Sequence, residues 1–222
     1  MTTAAPCRAP QPPAPGATAI RAFRAQDLPA LYAISLATGH AGGDASGLYR
    51  DPHLVGQIYS VPYGVLAPDL VLVAEDDAGV AGFALGAIDT TGWEALLERH
   101  WWPALRHRHA DPGPEPAAGW SPDQRRAFAI HHPTLSPAAV CASHPTHLHL
   151  NLLPRLQHRG VGSALLRAWL ALARGRGARC VHVAVNRANT GAIGFWTAKG
   201  FRPLDAPPGR ALYLGRDAGQ EK

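Results

Sequence analysis

The sequence predicts one α/β domain on a mixed β-sheet, and three observations carry that reading. Two apolar, β-branched runs, Leu70 to Glu75 and Val80 to Asp89, flank the turn Asp76-Asp77-Ala78-Gly79, the signature of an antiparallel hairpin. The last third alternates strand and helix as a βαβαβ run. Hydrophobic residues make up 46% and charged residues 17% of the 222-residue chain, against roughly 25% charged in ordinary globular chains. That balance fits one sizeable core, and at about 150 residues per domain the length leaves room for one large unit.

Met1 to Thr18 is proline- and alanine-rich, cannot bury apolar surface and reads as a disordered tail. Residues 19–216 form the domain and 217–222 a second tail. Ala19 to Arg24 reads as a short strand. Asp27 then caps a helix whose apolar positions Leu28, Leu31, Ile34 and Leu36 share a face, ending at Gly39. Pro52 to Ser60 reads as a second helix limited by Pro62. The hairpin strands follow, expected near the centre of the sheet. Thr91 to His109 has Trp93, Leu96, Leu97, Trp101 and Leu105 at helical spacing, bent at Pro103. Ser121-Pro122-Asp123 is a helix start with proline at the first position. These helices make an insertion over residues 90–144, before the fourth strand. Then come a strand His147 to Leu153, a helix Gly162 to Arg174, a strand Arg179 to Asn186, a helix Asn189 to Lys199 and a strand Ala211 to Gly215. In the first of these strands Leu148, Leu150 and Leu152 share one face and His147, His149 and Asn151 the other.

The net charge is +5, and it is distributed unevenly. Lys199 and Lys222 are the only lysines, and no Asp or Glu occurs between Asp123 and Asp205. An arginine-rich half permits an anionic ligand without saying which. Cys7, Cys141 and Cys180 are an odd number without metal-type spacing, which predicts a reducing, cytoplasmic setting and no disulfide framework. The N-terminus lacks the pattern of a secretory signal, and no apolar run reaches the length of a membrane span.

The most informative segment is Gln157-His158-Arg159-Gly160-Val161-Gly162-Ser163, directly after a strand and directly before a helix. Glycines there let backbone N–H groups turn toward an anion at the helix N-terminus, where the dipole adds positive potential. Arg159 adds formal charge, and no nearby carboxylate competes. A P-loop is excluded because the Gly-Lys-Ser/Thr ending is missing. A dinucleotide fingerprint is disfavoured because Leu165 stands at the third glycine position and no acidic ribose partner follows.

This loop resembles the acetyl-CoA pyrophosphate loop of the GNAT family of N-acetyltransferases, Gln/Arg-x-x-Gly-x-Gly/Ala, filled here by Gln157, Gly160 and Gly162. Downstream, Asn189-Thr190-Gly191-Ala192-Ile193-Gly194-Phe195-Trp196-Thr197-Ala198-Lys199-Gly200-Phe201 is similar to the family's Asn-x-x-Ala-x-x-Phe-Tyr-x-x-x-Gly-Phe helix and turn. The resemblance covers roughly Ile20 to Leu214. It implies the GNAT fold, a mixed and mostly antiparallel sheet flanked by helices, and acetyl-CoA as cosubstrate. A narrower likeness is to the acetyltransferase-like C-terminal domain of O-linked N-acetylglucosaminidases and its stand-alone bacterial relatives. It is carried by Leu72 to Asp77 with Gly82 to Gly86, by Trp101-Trp102-Pro103, and by His144-Pro145-Thr146-His147-Leu148, and it makes the helical insertion a wall of the acceptor cleft.

By the resemblance, pantetheine lies between two splayed strands, paired to backbone groups of Asn151, Leu152 and Leu153. The diphosphate rests on the amides of His158, Arg159, Gly160, Val161, Gly162 and Ser163. Asn189 orients the pantetheine arm and also suits a helix cap. Trp196 is a departure: the family's tyrosine there protonates the leaving thiolate, and an indole N–H does not titrate usefully. Neither splayed strand carries the carboxylate that serves relatives as base, so histidine is the substitute. His149 is the expected base and His147 the second candidate, with His182, Asp44, Tyr49 and Asp89 further out. Each histidine also fits a merely hydrogen-bonded role. The His-x-His pair would suit a metal with His131, His132 or Cys141, but no fixed spacing completes a set, and no metal is expected. The reaction expected is acetyl transfer to a primary amine of unspecified identity, within a ternary complex. The alternative is a non-catalytic acyl-CoA or peptide binding module. Nucleic-acid binding ranks last, since the arginines lack interleaved aromatics, and no membrane partner is expected.

Overall fold

The computed structural model describes residues 18–115 and 117–220; the expected tail over 1–18 lies, but for its last residue, outside them. The elements run β1 (Ala19–Ala22), α1 (Leu28–Ala37), α2 (Leu54–Tyr59), α3 (Val61–Leu66), β2 (Val71–Asp76), β3 (Gly79–Ala87), α4 (Thr90–His100), α5 (Trp102–Arg108), α6 (Pro122–His131), α7 (Ala138–Ser143), β4 (Thr146–Leu152), α8 (Val161–Arg174), β5 (Cys180–Asn186), α9 (Thr190–Ala198), β6 (Arg202–Pro203) and β7 (Ala211–Asp217). The seven strands form one sheet in the order β1-β2-β3-β4-β5-β7-β6. Every pairing is antiparallel except β4 with β5. The sheet is therefore mixed and mostly antiparallel. Its centre is β4, and the hairpin β2–β3 lies to one side of it.

The period-two pattern of β4 sorts its side chains between two cores. Leu148, Leu150 and Leu152 pack with Leu165 and Trp169 of α8 and with Trp196 of α9. α8 is apolar at Val161, Leu165, Leu166, Trp169, Leu170 and Ala173, a stripe at helical spacing that is buried against the sheet. On the other face Leu31, Phe83, Leu85, Trp93, Trp102 and Ile130 join α1 to α6 into a second core. His147, His149 and Asn151 point to that side, so polar groups meet an otherwise apolar layer.

Several local expectations are revised for identifiable reasons. Pro62 does terminate α2, but it also occupies the first turn of a further helix, α3, where its missing N–H costs nothing. The long helix of the insertion is broken at Trp101, one residue before Trp102 and Pro103 open α5. Asp27 stands at the start of α1 but makes no cap bond to that helix. Its carboxylate accepts from the Arg21 guanidinium (2.6 Å) and the Arg24 N–H (2.7 Å) instead. Ser121 caps α6 as expected, in a reciprocal box with Gln124. β7 continues to Asp217, and the Ala218 N–H beyond it donates to the Arg179 carbonyl (2.7 Å).

Gly86 of β3 has no room for a side chain. A Cβ there would collide with the His147 carbonyl oxygen and sit 2.7 Å from the Trp169 ring. Gly86→Ala is expected to destabilise the fold by about 3 kcal/mol, at the upper end of overpacking costs, read as a lowered urea midpoint. An unchanged midpoint would mean the strands can separate without penalty.

Candidate active site

Beyond His147 the two central strands stop pairing. β4 and β5 match only at Thr146 with Val181 and His147 with His182, while β3 holds β4 out to Leu152. The Leu153 N–H donates to the Ala81 carbonyl (2.8 Å), and its own carbonyl accepts from the Leu156 N–H (3.0 Å). Antiparallel alternation turns the main-chain groups of Asn151 and His149 toward β3 as well, leaving those of Leu150 and Leu152 to face the gap. Of the three residues expected to offer backbone partners, Leu152 does so, and Leu150 takes the place of its neighbours. Gln157 Nε2 donates to the Leu152 carbonyl (2.8 Å), so Gln157 braces the strand end to the loop. The Asn151 side chain faces the other way and donates to Thr38 Oγ1 (2.7 Å) at the end of α1.

The loop into α8 has the conformation its glycines suggest. His158 (φ 57°) and Gly160 (φ 78°) are both left-handed, an arrangement that aims successive N–H groups at one point. The amides of Val161, Gly162 and Ser163 begin α8 without intrahelical acceptors. A Cβ on Gly162 would lie 3.3 Å from Leu152 Cδ1 and 3.4 Å from Phe195 Cε2, so glycine lets the helix close on the gap. Arg159 is exposed and donates to the Arg155 carbonyl (3.3 Å).

These parts surround a cavity of about 560 Å³. Of the expected cofactor residues, Asn151, Leu152, Gln157, His158 and Gly160 line it, as do Gly162, Ser163, Asn189 and Trp196. Val161 is buried in the core below, and Leu153 packs between the two cores. Asn189 Oδ1 accepts from the Ala192 N–H (3.0 Å) and caps α9, which leaves its Nδ2 directed at the cavity side near Gly42. Trp196 packs edge-on against Phe195 and Phe201 and has no hydrogen-bond partner among the described residues.

A second cavity, about 620 Å³, opens on the opposite side of β4 and is lined by His147, His149, His182, Tyr63 and Trp93. Consecutive residues of β4 serve the two cavities, His149 lining one and Leu150 the other. His147 is committed on both nitrogens. Thr90 Oγ1 donates to the Pro145 carbonyl (2.6 Å) and so accepts from His147 Nδ1–H (2.8 Å), while the Tyr63 hydroxyl donates to His147 Nε2 (2.6 Å). His182 donates through Nδ1 to the His144 carbonyl (2.6 Å). His149 stands edge-on to Tyr63 and His147, and neither of its nitrogens has a hydrogen-bond partner among the described residues. Asp44 caps its own turn through Ser46, Tyr49 bonds Arg126, and Asp89 precedes α4; none of the three lines either cavity. Among the described residues no group of three or more His, Cys, Asp or Glu gathers as a metal would require.

Comparison with known proteins places this geometry. The model of the acetyltransferase (GNAT) family matches residues 59–201, well over half of the chain. The chain belongs to that family. The crystal structure of SsHAT is 36% identical, with a TM-score of 0.84 over 91% of this chain and 99% of that one. Two more distant structures share the fold. The PaiA N-acetyltransferase of Thermoplasma acidophilum, in complex with coenzyme A, is 15% identical at a TM-score of 0.52, covering 90% of this chain and 99% of that one. The putative acetyltransferase yncA of Salmonella typhimurium, with acetyl-CoA, is 15% identical at a TM-score of 0.52, over 93% and 97% of the two chains.

In this acetyltransferase the residue that sequence reasoning missed is Tyr63. It sits on the unpredicted α3, 84 residues from its partner His147. The only signal was Pro62 before it, read as a stop. Burial holds the Tyr63 hydroxyl protonated, far above its ordinary range. Burial likewise pushes His147 well below its ordinary 6.5, with the neighbouring His149 and His182 adding to the effect. The same cause lowers His149 to about 4 and also depresses His182. The unfolded chain therefore binds protons below pH 6.5 that the folded chain refuses. Stability is full above pH 6.5 and falls as the pH drops toward 4, by up to about 1.4 kcal/mol per pH unit for each histidine. Urea midpoints between pH 7 and pH 4.5 are expected to show this slope, and His149→Ala to make it shallower. A flat profile in both proteins would mean these rings are solvated.

Proposed function

We propose that this acetyltransferase is an acetyl-CoA-dependent N-acetyltransferase that acetylates a primary amine by direct attack in a ternary complex. One observation carries the reading: consecutive residues of β4 serve two cavities, Leu150 lining the one that ends at the glycine loop and helix start, and His149 giving the other an uncommitted, unprotonated imidazole. The amides of His158 to Ser163 suit a diphosphate, and the main-chain groups of Leu150 and the Leu152 N–H, which face the gap, suit a pantetheine arm. These fits, and the coenzyme complexes of the two distant relatives, support acetyl-CoA as the acetyl donor.

In this mechanism His149 accepts one proton from the incoming ammonium. The freed nitrogen attacks the thioester carbonyl, the C–N bond forms and the C–S bond breaks. The N–H of Leu150 or Leu152 steadies the carbonyl oxygen as it gains charge. The second nitrogen proton goes to the departing thiolate, directly or through water. A thiol with an ordinary pKa of about 8.5 is a fair leaving group without a dedicated acid, and the Trp196 N–H offers a hydrogen bond only. Tyr63, His147 and Thr90 are positioning residues that fix the wall behind His149. The narrower likeness to the O-linked N-acetylglucosaminidase C-terminal domain remains part of this proposal, with the insertion helices α4 to α7 walling the acceptor side.

Trp196 favours a second reading, a module that binds acyl-CoA without turnover. Calorimetric titration with acetyl-CoA tests the first step, with a Kd on the order of 1–100 μM expected for a competent site. Release of free CoA thiol on adding an amine then separates enzyme from binder. Failure to bind acetyl-CoA would end both readings.

A further inference from the structure

We propose that the acceptor is a singly charged amine on an apolar, aromatic-sized body, with its ammonium drawn to Glu94, which lines the same cavity as His149. The inference rests on the acetyltransferase reading above and adds the chemistry of the second substrate. Glu94 lines the second cavity together with His149, and no lysine or arginine does. One oxygen of Glu94 accepts from the Ser136 N–H (2.8 Å), and no cationic side chain lies within ion-pair distance among the described residues. The other carboxylate of the lining, Glu98, is already paired with Arg106 (2.5 Å). The three cavity histidines are depressed toward the neutral form, so they do not cancel Glu94. In a chain of net charge +5, the cavity keeps one uncompensated negative charge.

Glu94 follows Trp93 on α4, and Trp93 stacks on Tyr63, the partner of His147. The two rings lie 4.2 Å apart, a π surface that favours a nearby cation. The rest of the wall is largely apolar, with Thr91, Thr134 and Ser136 as neutral polar side chains among it. Ile58 and Leu97 lie along it, and Tyr59 and Leu135, 40% and 63% exposed, stand at its rim. A polyhydroxylated amine would set most of its hydroxyl groups against apolar side chains, and a diamine would place its second charge there or beside Glu98, which Arg106 already pairs. An ammonium on an aromatic or aliphatic body leaves neither problem. Two sources share that chemistry, a free arylalkylamine and the α-amine of a peptide whose first residue is apolar.

The test titrates the CoA-saturated protein with phenethylamine, phenethyl alcohol, glucosamine, putrescine and a Phe-Ala-Ala peptide amide, and follows CoA release from acetyl-CoA with each amine. Phenethylamine or the peptide is expected to bind at least about tenfold more tightly than glucosamine, putrescine or the alcohol, and whichever is tighter identifies the source. Glu94→Gln keeps the acceptor for Ser136 and is expected to weaken the amine about tenfold while leaving the alcohol unchanged. Leu135→Ser, at the exposed rim, should weaken amine and alcohol alike several-fold. Tightest binding by glucosamine or putrescine, no binding by either apolar amine, or an amine affinity indifferent to Glu94→Gln would each overturn the inference. Apolar amines that bind without releasing CoA would leave it standing and remove the catalytic reading. CoA release with polar amines alone would do the reverse.

Discussion

Gly162→Glu is expected to lower acetyl-CoA affinity by at least about 100-fold, with a smaller loss of stability. The new side chain begins at the mouth of the gap, its Cβ 3.3 Å from Leu152 Cδ1 and 3.4 Å from Phe195 Cε2. Its carboxylate extends into the space the diphosphate would occupy. Two like charges about 4 Å apart repel by roughly 4 kcal/mol at an effective dielectric of 20, a factor approaching 10³. The same carboxylate lies in the first turn of α8, where the helix dipole favours a negative charge. That gain offsets part of the crowding against Leu152 and Phe195, so stability should fall far less than binding. Gly162→Ala adds the Cβ without the charge and should cost less than about tenfold. Calorimetric titrations of the three proteins, with urea midpoints alongside, read both effects. Wild-type affinity in Gly162→Glu would show that no diphosphate rests at this helix end, and loss of affinity in Gly162→Ala as large as in Gly162→Glu would assign the effect to bulk.

The loop was legible because its function resides in the main chain. A left-handed Gly160, a tight Gly162 and free amides at a helix start follow from residue types at fixed local spacing, and so does the cap that Asn189 places on α9. The acceptor side was not legible in that way. Tyr63, Glu94 and His149 come from α3, α4 and β4, and they converge only because the insertion packs on the sheet face that the histidines share. Periodicity placed His147 and His149 on that face, and the sequence ranks His149 first as base without showing what holds His147. The difference arises from long-range bonds: His147 is held at both nitrogens by Tyr63 and Thr90, and His149 is not. Asn151 and Leu153 were credited with main-chain groups facing the gap. The phase of the β3–β4 ladder turns those groups inward, and that phase depends on the register of a second strand.

The difference between the two histidines makes the second large prediction. His149→Ala should lower kcat by about 10² to 10⁴-fold, the range of a general base, and leave the acetyl-CoA Kd within about twofold, since His149 does not line that cavity. His147→Gln should act on stability more than on kcat, because the ring it replaces is buried and bonded at both ends. The pH profile separates a base from a packing group. His149 is active when neutral, so kcat/KM should lose activity as the pH falls through its pKa. Burial holds that pKa near about 4 in place of 6.5, and the acid limb belongs well below pH 6.5. A low pKa makes a weaker base, and it leaves the imidazole unprotonated in essentially every molecule at neutral pH. The lone pair is then ready whenever an ammonium enters the cavity. An acid limb that stays in place in His149→Ala, or a kcat loss below about tenfold, would transfer the proton to solvent and reduce His149 to a wall of the acceptor cavity.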